Sequence, residues 1–209
     1  MTYSIVARCA RTGQLGVASA TFSLACGARN EGARPGVGVS RTQAFPKRSN
    51  DPLVLNILQL GFGPRKAMEL VAENDPDFEY RQMGIVTPDG AVAMHTGSMA
   101  RPWAGHRTGE DFAAFGNILV GPQVIDGIVA GFQAEPGEDL AERLLQAIEG
   151  GRDAGGQVGV SGHVTERSAW VRIIDPSYTP LLDLRVDVHT SAVHHLRHIY
   201  SEFLAEQAE

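Results

Sequence analysis

The sequence predicts an α+β fold with a largely antiparallel sheet. Two observations carry this: the strand-like runs come mostly as hairpins joined by short turns, and helical periodicity is confined to separate blocks. Strands alternating singly with helices would predict a parallel sheet instead. The chain has 209 residues, 43% of them hydrophobic, enough for one good-sized core and marginal for two. One domain over residues 1–209 is therefore expected.

Residues Thr2 to Arg8 alternate, with Tyr3, Ile5 and Ala7 on one face and Thr2, Ser4, Val6 and Arg8 on the other. Arg11-Thr12-Gly13 reads as a turn into a second run, Gln14 to Thr21, which makes a hairpin. Gly36 to Phe45 reads as a third strand leaving into a polar loop. Asp51 followed by Pro52 reads as a cap with proline at the first helical position, and that helix stops at Gly61. Pro64 restarts a helix through about Asn74. The stretch "YRQMGIVTPDGAVAMHTG" is a second hairpin, turned at Pro88-Asp89-Gly90. A loop, "SMARPWAGHRTGED", precedes a strand in "FAAFGNILVG". Two helices follow, "PQVIDGIVAGFQ" and "EDLAERLLQAI", the second with Leu140, Leu144, Leu145 and Ile148 on one face. Gly150 to Gly162 is glycine-rich and is expected to be a mobile loop. The strands "SAWVRIID" and "PLLDLRVDV" and a helix from about Ala192 close the chain.

The formal charge is −6, with 18 Lys and Arg scattered along the chain. That gives no footprint for a polyanion, so nucleic acid is not an expected partner. There is neither an apolar run of about 18 residues nor a leader pattern, so no membrane association and a cytoplasmic location are expected. Cys9 and Cys26 match no disulfide framework or metal spacing and read as reduced, buried thiols. A homodimer is expected only from the general frequency of symmetric pairs.

His194, His195 and His198 cluster on the last helix, but their spacing alone does not make a zinc site, and a solvated helix face is expected there. "GARPGVGV" lacks the strand-to-helix order and the Lys-Ser/Thr of a phosphate loop. "GVSGH", with Ser161, is not a nucleophile elbow. Neither a metal nor another cofactor is expected. Thr2 stands apart. Threonine is common in strands, yet if Met1 is removed its α-amine, with a reference pKa of about 7.7–8.0, can take the proton of its own hydroxyl. On the residues alone both readings stand.

"MTYSIVAR", "TGQLGVA", "GVGVSRTQAF", "RQMGIV" to "HTG", "PWAGHRTG" and "GNILVGP" resemble, in order and spacing, the family called domain of unknown function 1028 (DUF1028), over essentially the whole chain. The resemblance implies the four-layer αββα sandwich of the N-terminal nucleophile (Ntn) hydrolases, and an amidohydrolase that cleaves a C–N bond in a small metabolite. It implies a site centred on Thr2 as nucleophile, with Asn117 or a backbone N–H holding an oxyanion. Arg41, Thr42, Gln43, His106 and Arg107 would bind substrate, Arg107 by gripping a carboxylate and His106 by orienting it. The alternative for "PWAGHRTG" is a structural loop in which His106 and Arg107 satisfy backbone carbonyls. The family stretch Gly-Asp-x-Arg-Gly-x-Gln-Ser is shortened here to one that keeps a serine, Ser161, without the arginine and glutamine. A member of the same fold that binds a small ligand or a protein without catalysis is therefore the second reading.

Overall fold

The computed structural model describes residues 1–29 and 32–208. In chain order its elements are β1 (Thr2–Arg8), β2 (Leu15–Thr21), β3 (Ala33–Arg34), β4 (Gly38–Gln43), α1 (Asn50–Gln59), α2 (Pro64–Glu73), β5 (Gln82–Val86), β6 (Val92–Thr96), β7 (Gly105–Gly109), β8 (Phe112–Asn117), α3 (Gln123–Ala134), α4 (Leu140–Asp153), β9 (Gln157–Gly159), β10 (Gly162–Val164), β11 (Ser168–Asp175), β12 (Tyr178–Val186) and α5 (Ala192–Gln207). The result is a mixed α/β chain in which neighbouring strands run antiparallel. One sheet has the order β12-β11-β2-β1-β8-β7, the other β3-β4-β5-β6, and β9 and β10 form a separate ribbon. Among the described residues no helix is long and apolar enough to cross a membrane.

The alternation in β1 becomes a division between two cores. Tyr3, Ile5 and Ala7 join the cluster formed with α3, α4 and α5, while Val6 joins Val17, Val39, Val86 and Phe115 between the two sheets. A third cluster, with Leu55, Val71 and Ile85, packs α1 and α2 on the four-stranded sheet. Helices α3 and α4 approach closely because Gly127 and Gly150 face each other, and a Cβ at Gly127 would stand 2.4 Å from the Gly150 carbonyl oxygen.

Several boundaries differ from the sequence expectation. The first helix begins at Asn50, and Asp51 is buried instead of capping it: its carboxylate accepts the hydroxyls of Ser40 and Thr42 and the Thr42 amide. Strands β4 and β8 end early, at Gln43 and Asn117, because Ala44, Phe45 and Ile118 take positive φ and turn the chain out of the sheet. The expected loop 98–111 contains β7, an edge strand supported by pairing with β8. The expected mobile loop 150–162 is ordered structure: α4 runs to Asp153, and β9 pairs with β10.

The two sheets meet where Gly84 of β5 faces Phe115 of β8, and a Cβ there would lie 2.7 Å from the Phe115 ring. Gly84→Ala is expected to lower stability by about 1–3 kcal/mol through overpacking. Gly137→Ala, in open space, should stay within about 0.5 kcal/mol of the parent. Urea unfolding midpoints of the two variants check this.

Candidate functional site

Strand β1 lies inside its sheet, so its first residue has a neighbour on each side. Thr2 is in register with Thr21 on β2 and Asn117 on β8. Its position in the alternation puts it on the face shared with Ser4 and Val6, which is turned toward the second sheet. A cavity of about 380 Å³ lies at this end of the interface, with Thr2, Thr21, Arg41, Thr42, Gln43 and Asn117 in its lining. The volume is in the range of small-molecule sites.

Beneath Thr2 runs a buried chain of amides. The Ser4 hydroxyl donates to Gln43 Oε1 (2.6 Å), so the 2.6 Å contact of Ser4 with Ser19 is a donation by Ser19. Gln43 Nε2 donates to Gln82 Oε1 (3.1 Å) and, more weakly, to the Thr2 carbonyl (3.4 Å). Asn117 Nδ2 donates to the same Gln82 Oε1 (3.0 Å), and Gln82 Nε2 donates to the Gly116 carbonyl (2.7 Å) and to Thr96 Oγ1 (3.1 Å). The orientation of each amide is fixed by its neighbours, and with it the orientation of Asn117.

Three lining residues, Ala44, Phe45 and Ile118, hold φ values of 58°, 57° and 54°. An L-residue pays strain in this region, most of all a β-branched one, and such strain clusters at ligand sites. Cys26 also lines the cavity, with its thiol pushed up by burial against the opposing charge of Arg41, so it stays protonated near neutral pH. In the chain bearing Met1, the Met1 carbonyl accepts both the Thr2 hydroxyl (2.6 Å) and the Thr21 hydroxyl (2.5 Å). The Met1 α-amine is lowered from 8.0 to about 6, first by burial and second by the charge of Arg101.

The model of the family of unknown function DUF1028 matches residues 2–196. The chain belongs to the DUF1028 family. Among solved structures it is similar to protein SPO2555 from Silicibacter pomeroyi, described as DUF1028, with 29% identity, a TM-score of 0.84, and coverage of 96% of this chain and 88% of that one. A second similar structure is Anbu (ancestral beta-subunit) from Yersinia bercovieri, with 13% identity, a TM-score of 0.42, and coverage of 98% and 95%. No curated protein matches the sequence.

In this DUF1028 member, five of the residues singled out from sequence, Thr2, Arg41, Thr42, Gln43 and Asn117, line one cavity; His106 and Arg107 do not. The physical reason is β7. It is an edge strand on the far side of β8, and consecutive side chains of a strand point to opposite faces. His106 lines a second cavity, of about 510 Å³, with His95 and Phe78. Arg107 forms an exposed ion pair with Asp126 of α3 (3.3 Å). His106 is still joined to the first cavity through the amide chain, because its Nδ1 lies 2.9 Å from Thr96 Oγ1. That hydroxyl also accepts from Gln82, so Thr96 links the ring to the amide chain. Partial burial first, then the charges of His95 and Arg107, lower the His106 pKa, in keeping with a neutral ring.

Sequence reasoning missed Arg48, Arg101, Thr21, Cys26 and Asp51 as lining residues. Only Thr21 carried a signal, since counting back from the first turn pairs it with Thr2. On α5, His195 stacks on His189 (4.5 Å between centroids), and His198 lies beside Glu202 (3.7 Å). Among the described residues no group of three His, Cys, Asp or Glu side chains is arranged to hold a metal ion.

The depressed Met1 amine gives a pH prediction. An unfolded chain holds this proton up to about 8 and the folded chain releases it near 6, so this group makes the fold more stable as pH rises through that window. A chemical-shift titration of Met1 in protein labelled on methionine should give a midpoint near 6. A midpoint near 8 would mean that the amine is solvated.

Proposed function

We propose that this DUF1028 member is an amide hydrolase that uses Thr2 as an N-terminal nucleophile after removal of Met1. We read the chain as one domain. Its order of α3–α5, six-stranded sheet, four-stranded sheet and α1–α2 corresponds to the four-layer sandwich of Ntn hydrolases. The observation that carries the reading is the position of Thr2: it heads an inner strand, between Thr21 and Asn117, and lines a cavity of small-molecule size.

A threonine hydroxyl needs a base within hydrogen-bond reach. In the processed chain the new α-amine supplies it, since it is two bonds from the carbon bearing Oγ1. The burial and the Arg101 charge that lower the Met1 amine act in the same direction on an amine one residue along and favour its neutral, proton-accepting form. Thr2 Oγ1 attacks the amide carbon as the amine takes its proton. The developing oxyanion accepts from Asn117 Nδ2, which spends one hydrogen on Gln82 and keeps the other. The ammonium then protonates the leaving amine as the C–N bond breaks, which leaves an acyl ester on Thr2. Water attacks the ester, gives its proton to the α-amine and releases a carboxylic acid and the free hydroxyl.

One observation favours the second reading, a ligand-binding member without catalysis. While Met1 is present its carbonyl engages both cavity hydroxyls, and the Thr2 nitrogen is an amide with no basic lone pair. Intact-mass measurement on protein from its native host separates the two. Loss of one methionine is expected for the hydrolase, whereas uniform retention favours the binding protein. In the processed enzyme, Thr2→Ala should abolish turnover of a panel of small carboxamides and N-acyl compounds, at a stability cost of about 1 kcal/mol for the lost hydrogen bonds. Thr2→Ser should keep partial turnover. Full activity in Thr2→Ala would overturn the nucleophile assignment.

A further inference from the structure

We propose that the cavity at Thr2 takes a ligand bearing a carboxylate, held by the deep guanidinium of Arg41 and drawn in by Arg48 and Arg101. If Thr2 acts as proposed above, the substrate class is a small amide that also carries a carboxylate.

The argument starts from the cost of burying Arg41. It is 8% exposed, yet among the described residues its guanidinium has neither a hydrogen-bonding partner nor an ion pair, and Nε is both unpartnered and closed to solvent. The accessible remainder of its donors is therefore the Nη end, and Arg41 lines the cavity. Asp51 lies close enough to feel the charge, but its oxygens are taken up by Ser40 and Thr42 and it forms no ion pair with Arg41. The guanidinium carbon stands 5.8 Å from the centroid of the buried Trp170 ring, which offsets part of the desolvation without supplying an acceptor. A buried guanidinium left in this state costs several kcal/mol, and an anionic ligand relieves it.

The charge around it points the same way. The chain has 24 acidic residues against 18 Lys and Arg, but the cavity reverses that balance, with Arg41, Arg48 and Arg101 against Asp51 alone. Arg48 and Arg101 are exposed and stand at the mouth, where they steer an anion inward. Arg101 lies over the ring of Phe45, 5.0 Å from its centroid, which holds it there. Spacing also constrains the ligand. Arg41 and Gln43 are two apart on β4 and share a face, so their Cα atoms are roughly 7 Å apart, and Gln43 reaches the Thr2 carbonyl. The carboxylate is thus separated from the reacting carbonyl by a short spacer.

The test is binding, measured by titration calorimetry, because it requires no turnover. Succinate is the carboxylate probe, succinamide the uncharged isostere and inorganic phosphate the competing oxyanion. Succinate is expected to bind the parent protein, and succinamide to bind at least about tenfold more weakly. Arg41→Gln should lower succinate affinity by at least about tenfold, the usual effect of losing a charge-assisted hydrogen bond. Arg101→Gln, at the exposed mouth, should lower it less and reduce its salt dependence, and this arm holds even if Arg41→Gln fails to fold. Equal binding of succinate and succinamide overturns the proposal. So does phosphate binding with no succinate binding, which would make the cavity a phosphoryl site. Arg41-dependent succinate binding in a protein whose Thr2→Ala variant keeps its activity would uphold the carboxylate site and remove only the nucleophile reading.

Discussion

The side-chain amides of Gln43 and Gln82 are the contact on which the candidate site depends. Both belong to the four-stranded sheet, and both reach into the six-stranded one: Gln43 to the Thr2 carbonyl and Ser4, Gln82 to the Gly116 carbonyl and Asn117. Elsewhere the two sheets meet through apolar side chains such as Val6, Val39, Val86 and Phe115, which set a distance but no register. Directional bonds in a dry interface do set one, because a slip of either sheet would leave buried donors and acceptors without partners. The heads of β1 and the end of β8 are thereby held at fixed positions relative to β4, and those three segments form the cavity wall.

Buried charge and backbone strain meet at the cavity. The cavity collects the buried charged residues Arg41 and Asp51 and three residues at positive φ. A fold optimised for stability alone would have none of these. The amide chain also extends beyond the cavity, through Thr96 to His106, so the two hollows on either side of β6 and β8 share one hydrogen-bonded path.

Much of this was legible in the sequence, for reasons that differ by residue. The hairpins were readable because alternation and turn chemistry are local, and the pairing of Thr2 with Thr21 follows from counting out of the turn at Arg11-Thr12-Gly13. The strand β7 was not, since "GHRTG" has exposed residues flanked by glycine and is held as a strand only by pairing with β8. The same error moved His106 and Arg107 into the wrong cleft. Gln82 gives no sign in the sequence of being buried, because a glutamine in a β-run ordinarily faces solvent. Arg48 and Arg101 lie outside the strands and helices, and which cavity they border is decided by tertiary packing alone. Composition alone predicts a mobile stretch after α4, whereas its glycines permit the tight ribbon of β9 and β10.

The placement of Thr2 inside the sheet has a practical side. A chain end at the head of an inner strand is not a free tail: its flanks are taken by β2 and β8, and the residue before it already lies in the cavity. An extension fused ahead of Met1 would start from a residue that lines that cavity and would keep the Thr2 nitrogen acylated. An amino-terminal affinity tag would therefore withhold the α-amine that the proposed chemistry needs, while a tag after α5, which packs against the opposite face of the six-stranded sheet, would not touch it.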